Sequence, residues 1–144
     1  SYYQGLIAFR KEHAALRMTT AQDVKTNITT VTGLDDNVMA FKINGGVNGE
    51  VADNLFVIFN ANETAAEVEL PEGKWNVYID AENAGTEVLR SVKGTVKVDG
   101  ISAMVLCQDN NRAPGVNGGL LAGIGAAVLA AGAAVAVVLK KKKK

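Results

Sequence analysis

Leu55-Phe56-Val57-Ile58-Phe59-Asn60 is the stretch whose reading decides the fold. Leu55 to Phe59 is a continuous apolar run, rich in aromatic and β-branched residues and closed by a polar asparagine. Such a run is too short for a buried helix and reads as a central strand. Its neighbours support that reading. Glu67-Val68-Glu69-Leu70 and Thr95-Val96-Lys97-Val98 alternate polar and apolar, as half-buried strands do. Asn44-Gly45-Gly46, Pro71-Glu72-Gly73 and Asp99-Gly100 supply turn chemistry between the runs. The strands expected in this part of the chain are 28–32, 38–43, 55–60, 66–70, 75–80, 86–89, 95–98 and 101–107. Short strands in series, with no helix between them, imply an antiparallel β-sandwich.

Upstream the period changes. Residues 2–17 read as an amphipathic helix with Tyr3, Leu6, Ile7 and Leu16 near one stripe and Arg10, Lys11 and Glu12 largely off it. That stripe needs a partner surface. His13, the only histidine, reads as a packing or capping residue rather than a ligand. The chain begins at Ser1 with no leader pattern and a helix already under way, so the expectation is a fragment of a longer protein.

Downstream, residues 109–117 are polar and carry Pro114 and Gly115, as a tether would. Residues 118–139 contain no charged side chain. They number about 22, about 33 Å as a helix, which matches the thickness of a bilayer core. Lys140 to Lys144 follow at once. A lysine run beside an apolar span stays on the cytoplasmic side, which puts everything before residue 118 outside. The expectation is a C-terminal transmembrane helix with a cytoplasmic basic tail at 140–144. Gly119 and Gly123 make a small-xxx-small pair, which arises by chance in so Gly- and Ala-rich a segment.

The charges balance at 15 basic and 15 acidic residues, and no basic face is offset from the acids before the last five lysines. That gives no case for nucleic acid. Cys107 is the only cysteine, so an intrachain disulfide is impossible. It lies in an apolar run and reads as a small core residue. Nothing in the sequence pairs it with His13. Asp35-Asp36, Glu67/Glu69 and Asp80/Glu82 are the nearest carboxylate pairs. All fall in turns or on a polar strand face, whereas glycoside chemistry needs two carboxyls across a cleft. There is no Cys/His metal spacing, phosphate-binding glycine loop or nucleophile elbow. Catalytic, cofactor and metal residues are therefore expected to be none in this chain. Trp75 and Tyr78 are three apart on a strand and face opposite sides, so at least one belongs to the core, and a sugar-stacking platform built from both is the weaker reading. Asn27-Ile28-Thr29 and Asn62-Glu63-Thr64 match the glycosylation sequon, which matters only in a secretory eukaryotic setting.

These residues carry a family resemblance. Tyr2 to Met18 (YYQGLIAFRKEHAALRM), followed by Thr19-Thr20-Ala21, resembles the last barrel helix and exit segment of type I pullulanases of the α-amylase superfamily. The blocks LFVIFNAN (55–62), LPEGKWNVY (70–78), AGTEVL (84–89) and ISAMVL (101–106) resemble the C-terminal β-sandwich of the same enzymes, in the same order. Together they cover roughly residues 2–107. Ala14 stands where the family usually has proline after the helix histidine. The resemblance implies a parent glycoside hydrolase cleaving α-1,6 branch linkages of pullulan, starch or glycogen. Its catalytic carboxylates would lie on barrel strands upstream of this chain, so none is carried over. The C-terminal span also resembles the tail of a Gram-positive cell-wall sorting signal, with Ala113-Pro114-Gly115 where Leu-Pro-x-Thr-Gly is expected.

The expected organisation is thus 1–20, the closing helix of a catalytic barrel; 21–108, a β-sandwich; 109–117, a linker; 118–139, a transmembrane helix; and 140–144, a cytoplasmic tail. The expected partners are the rest of the barrel, α-glucan through the parent enzyme, and a membrane through 118–144. A bacterial cell surface is the expected location, held either by the retained membrane helix or by attachment to the cell wall after cleavage of the tail. The competing reading is a stand-alone, non-catalytic surface module for carbohydrate binding or adhesion.

Overall fold

A computed structural model describes residues 1–109. The expected linker beyond 109, the membrane span and the basic tail lie outside the described residues. Among those described, no helix is long and apolar enough to cross a membrane.

The chain opens with helix α1 (Tyr2–Glu12), a 3₁₀ turn (Ala14–Arg17) and helix α2 (Ala21–Asn27). Eight strands follow: β1 (Ile28–Thr30), β2 (Val38–Asn44), β3 (Asn54–Asn60), β4 (Ala66–Glu69), β5 (Trp75–Ile79), β6 (Arg90–Val92), β7 (Thr95–Val98) and β8 (Ser102–Gln108). A six-stranded antiparallel sheet has the order β1-β2-β3-β8-β5-β6, and β4 and β7 form a two-stranded second layer. The expected mainly-β antiparallel architecture holds, and β3 is central, between β2 and β8.

Alternation along β3 builds both cores. Phe56 and Ile58 point to the two-stranded layer and pack with Trp75, Val77, Leu106, Val68, Val96 and Val98. Leu55 and Val57 point the other way, toward α1, and join Phe9, Ile43, Tyr78 and Cys107. A strand in a sheet covered on both sides is apolar at every position, which is why the buried run 55–58 is unbroken. β5 departs from simple alternation. Its register against β8 shifts between Val77 and Ile79. This bulge turns both Tyr78 and Ile79 to the helix face.

Several expectations need correction. The helix read over 2–17 ends at Glu12, because His13 is extended at φ −92°, ψ 100°. Tyr3 and Ile7 do not lie on its buried stripe; both are exposed, and Tyr2, Leu6, Phe9 and His13 face the sheet instead. Spacing alone admits both stripes, and the sheet selects the one that carries Phe9. Helix α2 was not expected, although Thr20 caps it by accepting from the Asp23 N–H at 3.1 Å. Residues 86–89 are not a strand. Val88 is buried and the Leu89 N–H donates to Val77 O, but regular pairing starts only at Arg90. The strand read as 28–32 stops at Thr30.

Candidate functional site

Among the described residues, two places draw together residues that the sequence leaves apart or exposed. One is buried and the other open.

The buried one joins three residues far apart in sequence. His13 Nδ1 lies 3.1 Å from Glu50 Oε1, and its Nε2 lies 4.0 Å from Cys107 Sγ. Nothing in the sequence pairs His13 with Cys107, and the fold brings them together across 94 positions. Glu50 accepts from the Ala15 N–H at Oε2 and from the Val51 and Ala52 N–H groups at Oε1, each at 3.0 Å. Burial pushes the Glu50 carboxyl up. Hydrogen bonds from His13, Ala52 and Ala15, with the attraction of the imidazole, outweigh it and hold the group at about 2. Acid, imidazole and thiol thus stand in the order of a nucleophilic triad. The array cannot act as one on a substrate: Cys107, His13 and Glu50 are all buried, and Phe9 and Tyr78 pack on the imidazole at ring-centroid distances of 4.1 and 5.8 Å. A nucleophile needs room for the reacting atom beside it. This array instead fastens the end of α1 and the 3₁₀ turn to the Glu50 corner and to β8. Cys107 is a core residue, as expected.

The open place is a corner between α1 and the sheet. α1 covers the helix face of the sheet at Leu55, Tyr78 and Cys107 but leaves the far end of β3 bare. There Met39, Phe59 and Ala103 stand side by side in register, and Phe41 lies 6.2 Å from Phe59, ring to ring. Phe59 is 42% exposed, Met39 52% and Ile101 70%. A shallow hollow of about 470 Å³ runs between Tyr2 of α1 and Phe59, Ala61, Ile101 and Ala103. On the same helix Tyr3 is 78% and Ile7 56% exposed.

The backbone under this corner is fixed. Tyr2 donates its hydroxyl to Asp80 O at 2.8 Å, and burial first, then the Asp80 carboxylate, pushes its acidity toward higher pH. Asp80 is itself held low against its own burial by Arg90 at 2.6 Å and by the Asn83 and Glu82 N–H groups. Gly5 lets α1 approach the loop above β5, since a Cβ there would stand 1.9 Å from Ala84 O. Ile101 adopts φ +48°, a left-handed conformation costly for a β-branched side chain, yet that side chain lies open to solvent. A fold optimised for itself alone would place glycine or asparagine there. The corner is an exposed apolar patch of the kind that marks an interaction surface.

The sequence pointed elsewhere for sugar contacts. Trp75 and Tyr78 do face opposite sides, as expected, but both are fully buried, so no stacking platform forms from them. Asn76 and Tyr78 donate to the Asp109 carboxylate, and Ser91 donates to Asn76 at 2.6 Å, which fastens the end of β8. Of the carboxylate pairs, Asp80 is tied to Arg90 and its own loop, and Glu67 and Glu69 stand on the outer face of β4. Among the described residues no group of His, Cys, Asp and Glu has the geometry to hold a metal. The side-chain amides of the sequon residues are engaged, Asn27 with Asp23 O and Asn62 with Asp36 O.

The comparisons with known proteins agree with this architecture. Residues 24–83 match the family model for the pullulanase all-beta domain. The pullulanase from Bacillus acidopullulyticus superposes with a TM-score of 0.71 at 34% identity, over 74% of this chain and 13% of that one. The pullulanase from an Anoxybacillus species, complexed with maltotetraose, gives 0.65 at 27% identity, over 75% and 15%. Type I pullulanase from Bacillus subtilis, complexed with maltose, gives 0.65 at 26%, over 74% and 15%. The chain therefore spans only 13 to 15% of the length of these relatives. Its described part is a pullulanase-like all-beta domain, and the resemblance to the C-terminal part of type I pullulanases holds.

Proposed function

Starting from a pullulanase-like all-beta domain, we propose that this chain is the accessory β-sandwich of a surface-anchored glycoside hydrolase that cleaves α-1,6 linkages in pullulan, starch or glycogen. In this reading residues 1–20 close the catalytic barrel and 21–108 form the sandwich. Residues 109–117 are the linker, 118–139 span the membrane and 140–144 remain in the cytoplasm. The chain contributes no catalytic group of its own. Its work is to cover apolar barrel surface and to hold the enzyme near the cell.

The observation that carries the reading is the bare corner at Met39, Phe59 and Ile101, with Tyr3 and Ile7 also exposed on α1. Large apolar side chains lose roughly 25 cal/mol of stabilisation for every Å² left in water. The corner lies on the same side of the sheet as α1, the element that resembles a barrel helix. A barrel packed there would bury helix and sheet end together. The binding-module alternative has lost its aromatic platform, because Trp75 and Tyr78 are core residues.

The test compares pullulan hydrolysis by the full-length gene product with that by this chain. Maltotriose release by the full product and none by the chain supports the reading. Paired Tyr3→Ser and Phe59→Ser changes in the full product should then lower its melting temperature and its activity together. Tight pullulan binding by this chain alone, with no hydrolysis by the full product, would transfer the function to the binding-module reading.

A further inference from the structure

The second layer of the sandwich has an open edge. Among the described residues β4 pairs with β7 alone. Leu70 N–H donates to Gly94 O, and the register continues as Val68 opposite Val96 and Ala66 opposite Val98. In an antiparallel ladder hydrogen-bonded pairs alternate with pairs whose backbone groups point away. Leu70, Val68 and Ala66 therefore bond inward to β7. The N–H and C=O groups of Glu67 and Glu69 point to the other side, where no strand lies among the described residues.

That side is a groove of about 560 Å³ between β4 and residues 31–35. Val31 and Leu34, both half-buried, give it an apolar wall over the buried Phe56 and Leu70. Asp35, Glu67, Glu69 and Glu72 are its charged lining, and it contains no lysine or arginine. Lys97 stands opposite Glu67, but on β7, away from the open edge. The groove thus combines a row of backbone donors and acceptors, a hydrophobic wall and a negative field.

We propose that β4 is a docking edge for an extended, lysine- or arginine-bearing peptide segment, which adds as a third strand to the β4-β7 layer. The backbone of the segment would bond to Glu67 and Glu69. Its alternate side chains would face the apolar wall and the carboxylates. Charge decides the occupant. A second copy paired edge to edge would set glutamates against glutamates, which is unfavourable across strands. A cationic segment meets no such penalty. This site is separate from the corner assigned to the barrel, and its test does not depend on that assignment.

The experiment uses the full chain in a non-ionic detergent, labelled with ¹⁵N. The probe is a capped peptide of alternating lysine and valine. Saturable binding, with amide shifts concentrated at residues 31–35 and 66–70, is the expected result. The double change E67K/E69K should weaken it by about tenfold or more, as charge reversal at a contact does. A peptide of the same sequence with alternate backbone nitrogens methylated keeps its charge and loses its donors, and it should not bind. Equal binding by the methylated peptide would mean attraction by charge alone and overturn the strand-addition proposal. So would shifts elsewhere on the chain, no binding of the parent peptide, or concentration-dependent dimerisation through β4.

Discussion

The two faces of the six-stranded sheet are built from alternate residues of the same strands, yet they are finished differently. On the sandwich face Phe56, Ile58, Trp75 and Leu106 are closed off by Val68, Val96 and Val98, all strongly buried. No ionised group belongs to that core. On the helix face α1 covers only part of the sheet, a buried Glu50–His13 pair lies inside, and Met39 and Phe59 remain open. The core of the first face is closed within residues 1–109. The second is complete only if something else packs on it. One sheet is thus closed on one side and left partly open on the other.

The largest expected effect probes the finished face. Trp75→Ala removes the biggest buried side chain and the indole donor to Pro71 O at 2.8 Å. It should cost about 3–5 kcal/mol in chemical denaturation. Phe59→Ala, on the unfinished face, should cost well under half as much; equal costs would erase the contrast between the faces.

Next comes the buried array. Glu50→Gln puts an amide where three backbone N–H groups and His13 require an acceptor, and should cost about 2–4 kcal/mol. The carboxyl is held at about 2, below its ordinary 4.5, so its contribution is fully present above pH 4.5 and is lost as pH falls toward 2. Acid titration followed by tyrosine and tryptophan fluorescence should show the wild type losing stability across that window. E50Q should lose less there. Identical acid profiles would remove Glu50 as the cause.

Gly5→Ala tests how closely α1 is seated. The added methyl meets the Ala84 carbonyl, and the helix must retreat, at about 1–3 kcal/mol. Thermal melting measures it, and an unchanged melting temperature would mean α1 is not pinned to that loop. The smallest effect has the opposite sign. Ile101→Asn relieves a left-handed β-branched residue and should stabilise this chain by up to about 1 kcal/mol. In the full-length product the same change should weaken the packing of the corner. Stabilisation of both would show that Ile101 contributes nothing to assembly.

Much of the fold was legible because local rules fix it. Turn residues and alternation located seven of the eight strands, allowing for shifts of a few residues at their ends. Helix α2 carries a readable signal, Thr20 followed by Asp23, but at seven residues it is too short for a helical period to stand out. Residues 86–89 misled because Val88 is buried by the loop above β5 rather than by a ladder. The candidate site was less legible. Tyr3 and Ile7 looked like the buried stripe of α1, and only the position of the sheet shows that they are the open one. The meeting of His13, Glu50 and Cys107 had no sequence signal, since none of the three is near another in the chain.

The sequence by itself determined the strand series, the buried Cys107, the opposite directions of Trp75 and Tyr78, and the family resemblance. These follow from the period of two along a strand and from the residues that turns require. Only the tertiary structure decided which stripe of α1 is buried, where Glu50 finds its partners, and which strand edge stays open. Each depends on contacts between distant segments, and spacing along the chain does not encode the distance between segments that meet.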